Sequence, residues 1–291
     1  MNRPLVLASG VLLVACTLTR ADPVDRRPRI AFVAHGSDIA VTEEDGGSPR
    51  TITSGPAFDS APEWSPERDR IVFIRSVGPR SPGHVMVVNA DGSEPERLTR
   101  GEGAYWDAAW SPDGGRIAVT RADWEGDRIY VMDADGSDSR QLTDIQSGSP
   151  SWSPDGRFLA FDGNPEDSEA DRIYRLDIET GEVHVLVEAE GTLNQCPTWS
   201  PDGRRIAFFR LTLGAAAKPI TTANAELFIT GPDGSARPLL STSFSSCPTW
   251  APDGRTVLFA AGNELRLVDV ATGRVRRPAP GVLRGSDPDW A

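Results

Sequence analysis

Three histidines, three cysteines and a phased set of aspartates are the side chains of this 291-residue sequence with the chemistry to carry a reaction or hold a ligand. Histidines converging on one ion would make a metal centre for Lewis-acid work on a sugar. His35, His84 and His184, however, fall at three different radial depths of the repeat described below, so they are expected to be isolated surface residues. Asp113, Asp155, Asp202 and Asp253 recur at one phase and suggest a ring of carboxylates. Each sits between proline and glycine, where a tight turn has its own use for aspartate, so their expected role is structural. The sequence contains no Gly-x-Ser-x-Gly elbow, His-Glu-x-x-His pair or P-loop.

The elements that would position any site are written as a repeat. Trp-Ser-Pro-Asp-Gly begins at Trp110, Trp152 and Trp199, Trp-Ala-Pro-Asp-Gly at Trp250, and a degenerate Trp-Ser-Pro-Glu at Trp64. The spacings are 46, 42, 47 and 51 residues, and Trp290 stands alone 40 residues after Trp250. Seven and nine residues after each of these five tryptophans come apolar pairs such as Ile117 and Val119, or Leu159 and Phe161, around a mostly small residue. That pattern predicts a strand packed on both faces. A second half follows in each repeat, with a glycine turn between two strands, and six such glycines occur: Gly46, Gly92, Gly136, Gly181, Gly234 and Gly273.

Five full motifs and six second halves close only if Trp290 completes the N-terminal unit that starts at Arg29. The sequence therefore predicts an all-β, six-bladed β-propeller over residues 22–291, with one blade built from both termini. Its 270 residues give 45 per blade, near the length usual for such repeats.

Period-2 alternation places positions −3 and −1 before each tryptophan on the face opposite the indole, toward the channel. Glu63, Asp107, Asp287 and Asp289 then form an acidic arc across three neighbouring blades, opposite a half of serines, threonines and cysteines. Two readings are open for it: solvated carboxylates, or a site for a cation such as Ca²⁺ or a basic segment. Cys196 and Cys247 share one phase in adjacent blades, so they form either a disulfide or a buried free pair. Connections after each second strand vary in length, whereas those on the opposite side are short. Variable loops on a rigid scaffold are where binding usually resides. Trp124 and the Leu211–Ala223 insertion, with Leu211, Leu213 and Ile220, are the candidate loop contacts.

Composition narrows the partners. A formal net charge of −12, with no basic stretch, argues against nucleic acid. Residues 1–21 read as an export signal and short tether: Arg3, an apolar run from Leu5 to Ala15, then Cys16. The run is short for a bilayer span, which takes about 20 residues. Cleavage is expected before Cys16, which would then be lipidated, or after Ala21. Membrane attachment is expected only through that anchor.

At its Trp-Ser-Pro-Asp-Gly motifs the sequence resembles the WD40-like Pro-Asp repeat family, the TolB-like propellers, but is expected to lack the α/β domain that precedes the propeller in TolB. The resemblance covers essentially the whole expected mature chain. It implies an exported binding module, and the chain is expected to be a monomer of the bacterial envelope, in periplasm or anchored at the outer membrane, that binds a protein or peptide through its loop-rich face with no catalytic residues and no cofactor. The alternatives are a metal-assisted carbohydrate lyase or hydrolase, and a small-ligand or cation binder using the channel.

Overall fold

In the computed structural model, the described residues are 29–34, 37–43, 48–78, 81–101, 104–165, 170–212, 225–231, 233–243, 246–262, 264–278 and 286–291. They form six four-stranded antiparallel sheets. The chain opens with β1 (Arg29–Ala34), β2 (Asp38–Glu43) and β3 (Arg50–Thr51). Four complete blades follow: β4 (Phe58–Trp64) to β7 (Glu96–Arg97), β8 (Tyr105–Trp110) to β11 (Arg140–Gln141), β12 (Gln146–Trp152) to β15 (Val183–Val187), and β16 (Thr192–Trp199) to β19 (Ala236–Thr242). The next blade runs from β20 (Thr249–Trp250) to β23 (Val275–Arg276), and the last strand is β24 (Ser286–Trp290). β24 pairs antiparallel with β1, Trp290 opposite Ile30, so the N-terminal unit takes its innermost strand from the C-terminal end. The Arg29 and Ala291 backbones also exchange hydrogen bonds of 2.9 and 3.0 Å.

Turn chemistry accounts for the first corner of each blade. In Ser111-Pro112-Asp113-Gly114 the Gly114 N–H donates to the Ser111 carbonyl at 2.8 Å, and Gly114 has φ +68°. The Ser111 hydroxyl donates to Asp113 Oδ1 at 2.5 Å and accepts the Arg116 N–H at 2.9 Å. The same bolt recurs at Ser153 with Asp155 and at Ser200 with Asp202. Proline presets φ, glycine supplies the left-handed residue, and the serine–aspartate pair satisfies the amides of the corner. These aspartates are thus spent on the turns.

The core lies between blades rather than within them. Ile71 and Phe73 of β5 (Arg70–Ser76), for example, cluster with Ala31, Val33 and Trp64 across the first interface. All six repeat tryptophans, Trp64, Trp110, Trp152, Trp199, Trp250 and Trp290, are buried. The residue that opens a second strand reaches over the next blade's indole: Arg70 lies 5.1 Å from the Trp110 ring centroid, Arg116 5.0 Å from Trp152 and Arg205 4.9 Å from Trp250. With Arg29 4.9 Å from the Trp64 ring centroid, four of the six tryptophans are wedges capped by a cation–π contact from a neighbouring blade.

Candidate functional site

The inner strands line a central channel, but not by simple alternation. Five of the six shift register just before the tryptophan, between Ser60 and Glu63, Tyr105 and Asp107, Gly148 and Ser151, Gln195 and Thr198, and Ser286 and Asp289. At the bulge Ala61, Ser149, Cys196 and Asp287 adopt left-handed φ of 46–59°. The following position is proline in five blades: Pro62, Pro150, Pro197, Pro248 and Pro288. Proline has no N–H to leave unpaired and is tolerated at bulges. The bulge turns positions −3, −2 and −1 together onto the channel wall, a correction to the alternating face expected from sequence.

Glu63, Asp107, Asp287 and Asp289 line one central cavity of about 140 Å³. The −1 carboxylates tie blades together. Asp289 Oδ2 accepts the Trp64 N–H at 2.8 Å, and Glu63 Oε1 accepts the Trp110 N–H at 2.7 Å. Ser151 does the same for Trp199 at 3.1 Å. Thr249 also donates its hydroxyl to Asp289 Oδ1 at 3.1 Å. Burial drives all four pKa values up. Glu63 stands well above the usual carboxylate range, raised further by Asp289, and Asp287 rises to about 6 with help from Asp107. Asp107 and Asp289 are raised for the same reason. Among the described residues, no three His, Cys, Asp or Glu side chains stand in metal-ligand geometry.

On the opposite half of the wall, the structure joins Cys196 to Cys247 through their sulfurs, with Cα atoms 5.0 Å apart. This link spans two adjacent blades. The two halves of the channel are thus fastened by different chemistry, carboxylate to amide on one side and sulfur to sulfur on the other.

A second cavity, of about 240 Å³, opens toward the loop-rich face between the β8, β12 and β16 blades. Besides Asp107 it holds Asp127, Asp162 and Asp171, which no repeat signal pointed to. Asp162 lies in β13 (Phe158–Asn164), opposite Gly148 and Ile173. The legible cue was its place three residues beyond Leu159, on the continuing strand.

On the loop-rich face, Trp124 caps the hairpin between β9 (Arg116–Asp123) and β10 (Gly126–Asp133) and is 91% exposed. Val77, just after β5 in the adjacent blade, is 92% exposed. Leu211 requires a correction: it belongs to β17 (Ile206–Thr212) and is buried among Phe209, Ala225 and Leu227, so it is a core residue rather than a loop contact. Strand periodicity continues through Phe209 to Leu211, which the loop assignment ignored. Leu213 and Ile220 lie outside the described residues, as do Cys16 and His35. His84 opens β6 (His84–Asn89) while His184 lies in β15, two blades away.

No curated protein sequence matches this one. Among solved structures, TolB from Acinetobacter baumannii is 24% identical with a TM-score of 0.76, over 90% of this chain and 66% of that one, so this chain spans just under two thirds of that protein's length. A proposed TolB from Agrobacterium tumefaciens is also 24% identical, with a TM-score of 0.65, over 86% of this chain and 88% of that one. An oligogalacturonate lyase in complex with manganese shares the fold at 16% identity and a TM-score of 0.57, over 83% of this chain and 70% of its own. Residues 24–291 match the family described as the TolB beta propeller domain. With its closed ring of Trp-Ser-Pro-Asp-Gly blades, this chain belongs to the TolB beta-propeller domain family.

Proposed function

We propose that the chain is an exported, non-catalytic binding module of the bacterial envelope that holds a protein or peptide against its loop-rich face. The observation that carries this reading is the pair Trp124 and Val77. Two large apolar side chains stand almost fully in water on hairpins of adjacent blades, on the side where loop lengths vary. Exposed aromatic anchors on a rigid scaffold are what protein interfaces use. Membership of the TolB propeller family supports the same reading. In it, residues 1–21 are the export signal, Cys16 is the lipid anchor, and Cys196–Cys247 is a bridge suited to an oxidising compartment. The acidic arc is the subsidiary feature: its unneutralised carboxylates favour a cation or a basic segment at the channel.

The test compares wild type with Trp124→Ala in pull-downs from native envelope extract. A stoichiometric protein partner is expected for the wild type, weakened at least about 10-fold by Trp124→Ala, as loss of an aromatic hot spot predicts. The melting temperature should be nearly unchanged, because Trp124 contributes little to the core. Recovery of background alone, or a partner indifferent to Trp124, would overturn the reading.

A further inference from the structure

Carboxylates dominate the polar lining of the 240 Å³ cavity, beside hydroxyls and amides that can also donate. Four carboxylates face it: Asp107 from β8, Asp127 from β10, Asp162 from β13, and Asp171 just ahead of β14 (Arg172–Asp177). None of the described residues lining it is lysine, arginine or histidine. The nearby Arg128 guanidinium donates instead to the Asp127 and Glu125 carbonyls at 3.1 and 3.5 Å. Protein donors meet only part of this demand. Asp162 Oδ2 accepts the Cys196 N–H at 2.7 Å, Asp171 Oδ2 accepts the Gln195 amide at 2.9 Å, and Asp127 Oδ1 accepts the Trp106 indole N–H at 3.2 Å.

Two further acceptors are left over. Thr120, 2% exposed, lines the cavity beside Asp107, and its Oγ1 makes no hydrogen bond of normal geometry. Asn164 Oδ1 is buried there and likewise has no partner. A buried polar atom without a partner costs about 1–3 kcal/mol, and both of these lie on the cavity wall.

We propose that this cavity binds an organic cation, an ammonium or guanidinium group, carried on a free amine or on a basic side chain of another protein. Such a group brings three to five N–H donors and no acceptor, the complement of the lining. A bare metal ion fits less well, because no three of the described acidic side chains converge with ligand geometry. A neutral polyol would leave the charge in place. The Trp106 indole also lines the cavity, its N–H turned to Asp127. Burial lifts Asp162 to about 7 and also raises Asp171, and a bound cation would draw both back down. The proposal goes beyond the protein-binding reading, because a free amine alone can fill the cavity.

The test is isothermal titration calorimetry of the purified protein at low salt and pH 8. The probes are Nα-acetyl-arginine amide, Nα-acetyl-lysine amide and putrescine, with the uncharged Nα-acetyl-citrulline amide as control. One-to-one binding of at least one cationic probe and none of the citrulline analogue is expected, with affinity reduced at least about 10-fold in Asp171→Asn, the loss expected of a buried charge pair. Asp162→Asn should act in the same direction; Asp171→Asn is the cleaner variant, because Asp162 also holds the Cys196 backbone. Binding of the two amides but not putrescine would assign the cation to a protein side chain, and tighter binding of putrescine would assign it to a free amine. Titration of no cationic probe, equal binding of the citrulline analogue, or affinity unchanged in both variants would overturn the proposal. Since no partner protein is present, these outcomes are independent of the pull-down.

Discussion

The aspartates of the turns and those of the channel are the same residue under opposite conditions. Asp113, Asp155 and Asp202 face solvent at the blade corners and are held below the usual carboxylate range, first by the hydroxyls of Ser111, Ser153 and Ser200. Asp107, Asp162, Asp287 and Asp289 also accept or face backbone amides, yet burial pushes every one of them up. The difference shows what each place needs. A corner needs a charge-assisted bolt that water can still solvate, whereas the channel wall needs acceptors for buried amides at blade junctions and tolerates unfavourable charge to have them.

The sharpest way to break this distinction is at Asp289. If its use is to accept the Trp64 N–H, Asp289→Asn keeps an oxygen in place and relieves repulsion with Glu63, so it should leave stability unchanged or raise it at pH 8. Asp289→Ala leaves that N–H without an acceptor between blades and should cost about 1–3 kcal/mol in urea unfolding. Equal losses for the two variants would mean that the charge itself holds the wall.

The pH profile sharpens the same contrast with a somewhat smaller effect. Asp162 at about 7 and Asp287 at about 6 bind protons more tightly folded than unfolded, where a carboxyl titrates near 3.9. Their stabilising contribution is full below about pH 4 and is lost as pH rises through 6 to 7. The turn aspartates run the other way: their contribution is present above about pH 4 and is lost as pH falls through their depressed values. Stability should therefore peak in mild acid. By calorimetry the melting temperature should be about 3–6 °C higher at pH 5 than at pH 8, as for about 1–2 kcal/mol in a chain of this size. Asp162→Asn should flatten the limb between pH 6 and 8. A curve that rises steadily to pH 8 would contradict the assignment of burial as the dominant influence.

Sequence carried the fold almost completely, because a propeller writes each blade as the same local problem. The tryptophan wedge, the buried triplet Ile117-Ala118-Val119 and the Ser-Pro-Asp-Gly corner are local patterns, and the orphan Trp290 was enough to close the ring. The channel was legible in part. Glu63, Asp107, Asp287 and Asp289 do share a wall, but the bulge that puts them there is a backbone event marked only by the proline at −2. The second cavity was not legible, since Asp127 near the start of β10, Asp162 within β13 and Asp171 just ahead of β14 belong to two blades and meet only when those blades pack. Leu211 failed for a simpler reason: a long spacing drew attention to a loop, and the strand's own apolar rhythm ran two residues into it.

The smallest effect tests the turns on their own ground. Where four blades place glycine after the aspartate, with φ of 64–70°, the degenerate corner has Arg68 at φ +61°. Its Arg68 N–H still donates to the Ser65 carbonyl at 2.8 Å, and Ser65 bonds Asp69 in place of the missing turn aspartate. The corner therefore keeps its hydrogen bonds while holding a branched backbone in a conformation that costs an L-residue about 1–2 kcal/mol. Arg68→Gly removes that strain but adds freedom to the unfolded chain, and the two partly cancel. A net gain of about 0.5–1 kcal/mol is expected, or about 1–3 °C in melting temperature. Arg29 donates to the Arg68 carbonyl, a contact the variant retains, so that bond does not confound the comparison. A lower melting temperature for Arg68→Gly would show that the arginine side chain stabilises its corner by more than the backbone strain costs.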